Sequence, residues 1–133
     1  MGAWGINNFE NDDALDWIGE FCDEPNEEAL IEAFAFVNEI GDDYLEAPES
    51  SVALTAAEIV AALKNKPSSD LPEDVKECVV NLSFKPSGEI VSNASKAVER
   101  VKADSELKEL WEETEDFSEW NKVIDDLISR LKA

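Results

Sequence analysis

The 133-residue chain contains no histidine. That absence removes Ser-His-Asp and Cys-His catalysis, histidine-ligated zinc and the commonest general base together. Two cysteines without histidine cannot complete a structural zinc site. The phosphate-cradling patterns G-x-x-x-x-G-K-S/T and G-x-G-x-x-G are also missing. Catalysis would have to rest on carboxylates, hydroxyls or lysine. Five glycines and five prolines exclude a collagen-like or low-complexity chain, and no apolar run approaches the ~18 residues a membrane span needs. The first residues have neither the basic nor the apolar region of a secretory signal, and Ile6 stands where a myristoylation site wants Ser or Thr. The expected location is the cytoplasm, with Cys22 and Cys78 as reduced, hydrophobe-like thiols on apolar helix faces.

Positive charge is missing from half the chain. Residues 1–63 hold sixteen acidic side chains and no Lys or Arg, whereas residues 64–133 hold sixteen acidic and eleven basic ones. The total is −21, of which −16 sits in the first half. Helices with no local cations cannot cancel their charge through i,i+4 pairs, so their exposed faces project a negative potential over roughly a Debye length, about 8 Å. Such a surface repels nucleic acid and anionic lipid and attracts a basic protein, most strongly at low salt. Two partner schemes fit: an immunity-type inhibitor that plugs a basic toxin, and a mimic of the DNA backbone. The plain alternative is an acidic surface that serves solubility without a dedicated basic partner.

With 44% hydrophobic residues the chain can bury a core despite its charge. Apolar residues recur at three- and four-residue steps, which predicts a single all-α domain of seven short helices. The first helix follows the N-cap Asn11, with Ala14, Leu15, Ile18, Phe21 and Cys22 inward. The second starts after Pro25-Asn26, ends at Gly41 and is apolar around most of its middle, which predicts the central position. The third runs from about Pro48 to Lys64 and is rich in alanine. Pro72 opens the fourth, Ser87-Gly88 precedes the fifth, Asp104 the sixth, and Asp116 to Glu119 resembles a capping box for the seventh. Trp4 and Trp17 near one end and Trp111 and Trp120 near the other predict a shared aromatic cluster.

Asp12, Asp16 and Glu20 fall four apart on one helical face, as a hard divalent cation or an acid/base pair would require. This spacing supports the rival reading of a carboxylate-dependent metal enzyme, although a solvated outer face produces the same pattern. Trp4, Asn7, Asn8, Asn11 and Asp12 make up a second candidate, a polar pocket beside an aromatic ring that suits a small ligand or a peptide. The candidate binding residues are therefore Trp4, Asn7, Asn8, Asn11, Asp12, Asp16 and Glu20, with no catalytic residue and no cofactor.

The opening Met1-Gly2-Ala3-Trp4-Gly5, followed by Phe9, Asn11-Asp12, Ala14 and Asp16, resembles the MG-x-WG…F-x-ND-x-A-x-D signature of a bacterial domain-of-unknown-function family numbered 4259. Tyr44-Leu45 before the alanine-rich helix, and Glu109-Leu110-Trp111-Glu112-Glu113 followed by Trp120, resemble later blocks of the same family. The resemblance implies no activity and supplies no catalytic residues. The expectation is a cytoplasmic acidic protein that works by binding.

Overall fold

The computed structural model describes residues 7–69, 71–82 and 85–133. Seven helices form among the described residues: α1 (Asp12–Asp23), α2 (Glu27–Glu39), α3 (Ala47–Leu63), α4 (Glu73–Val80), α5 (Gly88–Ala103), α6 (Glu106–Glu112) and α7 (Phe117–Lys132), with no strand. The fold is all-α, as the apolar periodicity predicts.

Short polar side chains set several of the boundaries. Asn11, Asn26, Ser87 and Ser105 each accept a hydrogen bond from a backbone N–H in the first turn of α1, α2, α5 and α6. The α2 helix stops before Gly41, whose φ of +64° an L side chain rarely adopts. The start of α3 has no side-chain cap of its own, and the Ala47 N–H instead donates to Glu106 Oε1 at 2.8 Å. Glu106 N–H in turn donates to Leu45 O at 2.8 Å, so α6 closes the first turn of α3. At the other end, the Lys64 ammonium donates to the carbonyls of Leu131 and Ala133 and so satisfies the exposed end of α7. Unlike the prediction, Asp116 makes no side-chain cap to α7, and Pro72 is the N-cap of α4 rather than its first residue.

The centre belongs to α3 and not to α2. Twelve of the seventeen α3 residues are buried, and the helix packs on α1, α2, α4, α5, α6 and α7. The reason lies in where the charges fall. Between Ser50 and Leu63 the only charged residue is Glu58, whereas α2 carries Glu27, Glu28, Glu32 and Glu39 and turns that side to solvent. Leu30, Phe34 and Val37 of α2 are buried while Ile31 and Phe36 are exposed. The buried alanines Ala53, Ala56, Ala57 and Ala61 let neighbouring helices approach α3 closely.

Two further expectations change. Leu15 is exposed, because Ala14, Ile18 and Phe21 already fill the inner face of α1. Cys22 and Cys78 are joined in a disulfide, with Cα atoms 5.8 Å apart. Packing of α4 on α1 brings the two apolar faces together within bonding reach. The aromatic residues stack in two pairs, Trp17 on Phe21 with centroids 5.1 Å apart and Trp120 on Phe117 at 6.0 Å, while Trp111 and Trp120 lie in the core that Trp17 packs against. Trp4 lies outside the described residues. No helix among the described residues is long and apolar enough to cross a membrane.

Candidate functional site

Two concave regions draw on the acidic first half of the chain. The larger is a cleft of about 480 Å³ where the end of α1, the start of α2 and the first turns of α3 meet. Glu20, Glu24, Glu32 and Glu49 border it, together with Trp17, Phe21 and Phe36. The N-cap of α2 places Glu32 and Phe36 four residues apart on one side, and the three- and four-residue steps of α1 place Trp17, Glu20 and Glu24 on the other. A second cavity of about 380 Å³ adjoins the first, sharing Phe36 and Glu49 and adding Asp43, Tyr44 and Glu46. Among the described residues, no Lys or Arg lines either one.

Three side chains give this double cleft its character. Phe36 and Tyr44 are 53% and 54% exposed, unusual for large rings on one side of a small domain. Between them, Glu49 has an Oε2 that is shut off from solvent and meets no hydrogen-bond donor among the described residues. Tyr44 is anchored from behind, its hydroxyl donating to Glu109 Oε2 at 2.5 Å. That hydrogen bond, then desolvation, then the charges of Glu109, Glu106 and Glu46 push the phenol pKa up to about 12.

The smaller region, about 210 Å³, is lined by Asn7, Asn8, Glu58, Lys122, Asp126 and Arg130 among others. Its floor is a buried polar network. Asn8 Nδ2 donates to Glu58 Oε2 at 2.8 Å, and Arg130 grips the same carboxylate through two bonds of 2.8 and 3.1 Å. Arg130 Nε donates to Asp126 at 2.8 Å, and Nη1 to the Lys66 carbonyl at 3.2 Å. Thr55 Oγ1 donates to the Asn8 carbonyl at 3.2 Å. Burial works against the guanidinium charge, but the bonds to Glu58 and Asp126 and the charges of both outweigh it and hold the Arg130 pKa above its ordinary value. Each of these side chains has a partner among the described residues, so the chemistry of the network is that of a clamp: it ties the segment before α1 to α3 and α7.

The seven candidate residues therefore separate. Trp4 lies outside the described residues. Asn7 and Asn8 line the small cavity, while Asn11 accepts from Ala14 N–H at 2.8 Å as the α1 cap. Asp12 and Asp16 are exposed on the outer face of α1, and Glu20 alone of the column borders the large cleft. Among the described residues no group of three acidic or cysteine side chains gathers closely enough to hold a metal ion. Glu58, Arg130 and Glu49 escaped the sequence reading. The lone charge at position 58 in the otherwise uncharged stretch from Ser50 to Leu63 was the available signal, because such a residue must find a partner. Nothing in the sequence marked Arg130 as that partner, seventy-two positions away.

No curated protein and no solved structure matches the chain. A family model described as "Domain of unknown function (DUF4259)" matches residues 2–123, nearly the whole length. The chain belongs to that family.

Proposed function

We propose that the protein works by binding, as an interaction protein for a basic protein partner, in the manner of an immunity-type inhibitor that covers a cationic surface. One observation carries this reading: the later half of the chain does not neutralise the first. Of the sixteen acidic residues before Lys64, Glu58 alone lies in an ion pair among the described residues. Most of the other cations are held by second-half acids or by backbone carbonyls. Lys76, Lys102, Lys108, Lys122 and Lys132 pair with acids of the second half, and Arg100 donates to the carbonyls of Gly41, Asp43 and Asp104. The carboxylates of α1 and α2 thus face solvent as a one-sign surface, which steers and holds an oppositely charged partner.

The test is affinity capture at low salt from the native cell, with elution at high salt and identification of what leaves. The expected result is a basic protein that is lost when Asp16, Glu24 and Glu28 are changed to their amides, and retained when Glu113 and Glu115 are changed instead. Equal capture by the two variants, or no salt-eluted protein at all, overturns the reading.

A further inference from the structure

We infer that the bond between Cys22 and Cys78 is a redox latch on α4. Oxidised, it holds α4 against α1 and α3; reduced, it lets α4 detach while the other helices stay folded. The latch is independent of the basic-partner reading.

The reason is how little else fastens α4. The helix has eight residues, no side-chain cap, and Val75 as its one buried side chain. A helix this short is marginal in water on its own. Glu73, Asp74, Lys76, Glu77 and Val80 are exposed, and Cys78 and Val79 pack on the core only partly buried. The ion pair of α4, Lys76 with Glu73 at 3.6 Å, lies within the helix. Among the described residues, no hydrogen bond or ion pair joins an α4 side chain to another helix. The rest of the bundle is tied several times over. Glu58 and Arg130 join α3 to α7, Glu106 joins α6 to the start of α3, and Arg100 ties α5 to the carbonyls of Gly41 and Asp43. The other end of the latch, α1, keeps Ala14, Ile18 and Phe21 buried through its own packing.

This contrast governs the chemistry. The better a fold keeps two thiols side by side, the harder their disulfide is to reduce, and α4 gives that help sparingly. Neither cysteine is sealed in the core, since both are half-buried. A thiolate of a dithiol reductant attacks one sulfur; the Cys22–Cys78 bond breaks, a mixed disulfide forms, and the departing sulfur takes a proton. The second thiol of the reductant then closes the reductant's own disulfide and expels the other protein sulfur, which is protonated in turn. Two electrons and two protons reach the protein, and a disulfide oxidant takes them back.

Opening changes the surface. Lys76, Val79 and Val80 of α4 line a groove of about 490 Å³ together with Ala62, Leu63 and Leu71. When α4 leaves, the end of α3 loses that cover, and apolar surface meets water.

The experiment treats the intact folded protein with dithiothreitol, without denaturant. It follows thiol alkylation by mass, hydrogen exchange by segment, and the fluorescence of a dye that binds apolar surface. Both thiols should become alkylatable and dye fluorescence should rise. Exchange over residues 73–80 should accelerate about tenfold or more while α5 and α7 change less than about twofold, the pattern of local opening. Oxidised glutathione should reverse all three. The paired variant Cys22→Ser, Cys78→Ser should show the open pattern from the start and be blind to reductant. Equal acceleration in every helix would make the bond a staple of the whole fold, and unchanged exchange over residues 73–80 would make it idle. A bond that opens only in denaturant, or thiols already free before reduction, would also overturn the latch.

Discussion

Glu58 in the middle of α3 and Arg130 near the end of α7 form a two-pronged ion pair, with N···O distances of 2.8 and 3.1 Å, inside the bundle. The side chain of Glu58 is 3% exposed and that of Arg130 14%. The two partners are not equally supported. Arg130 also has Asp126 and the Lys66 carbonyl, whereas Glu58 without Arg130 keeps, among the described residues, only the Asn8 amide. Removing one member of a buried pair costs about 3–5 kcal/mol because the other charge is stranded. Arg130→Met should therefore fall at the upper end of that range and Glu58→Met below it. The double variant should be more stable than Arg130→Met alone. Urea unfolding of the three proteins measures this order, and equal costs for the single variants would contradict it.

Asn8 is the third member of that network and, among the described residues, the only one whose side chain comes from the segment before α1. Asn8→Ala removes the amide donor to Glu58 but leaves the backbone bond from Thr55, so the loss should be about 1–2 kcal/mol. Hydrogen exchange at residues 7–10 should accelerate more than exchange within α5, which the network does not touch. The N-cap variant Asn11→Ala, in contrast, should cost about 1 kcal/mol and speed exchange in the first turn of α1.

The chain has one tyrosine, so its ionisation can be followed without deconvolution. Absorbance at the tyrosinate band should titrate with a midpoint near 12 in the folded protein, against 10.0 for an unperturbed phenol. Because the folded value is raised, the Tyr44–Glu109 contact supports the fold fully below about pH 10 and loses that contribution as the pH climbs towards 12. Glu109→Gln should bring the midpoint back towards the ordinary value. A parent midpoint of 10 would mean that the hydroxyl bond is absent in solution.

The bond between Cys22 and Cys78 spans 56 residues of sequence and attaches α4, which has Val75 as its one buried side chain, to α1. A loop of that length implies about 4 kcal/mol of stabilisation in the chain-entropy account. The paired variant Cys22→Ser, Cys78→Ser should lower stability by up to that amount. It should also release backbone exchange over residues 73–80 before the rest of the bundle. Thiol titration of the denatured parent should find no free thiol until a dithiol reductant is added.

The seven helices were legible in the sequence because each carries its own apolar stripe and, in most cases, its own cap. The inner face of α5, Ile90, Ala94, Ala97, Val98 and Val101, is buried as its spacing predicts. What periodicity could not rank was which helix is central. The composition of α2 in its middle is as apolar as that of α3, and only the placement of four glutamates along one side reveals that α2 is a wall. The disulfide was hidden for a related reason, since an apolar face that packs and an apolar face that brings two sulfurs together look alike in one sequence. Of the candidate residues, Glu20 borders the large cleft while Asp12 and Asp16 do not, and Glu49 and Phe36, which also line it, carry no local signal. Their importance comes from α2 and α3 meeting, a contact that no local pattern encodes.

The alanines buried along α3 bear on how a partner is met. Both α1 and α2 pack on α3, whose buried alanines have no rotamers to adjust. The jaws are therefore gauged from behind, by a rod of methyl groups. Under the proposed reading, a guest of the cleft has to suit an opening whose width is set before it arrives.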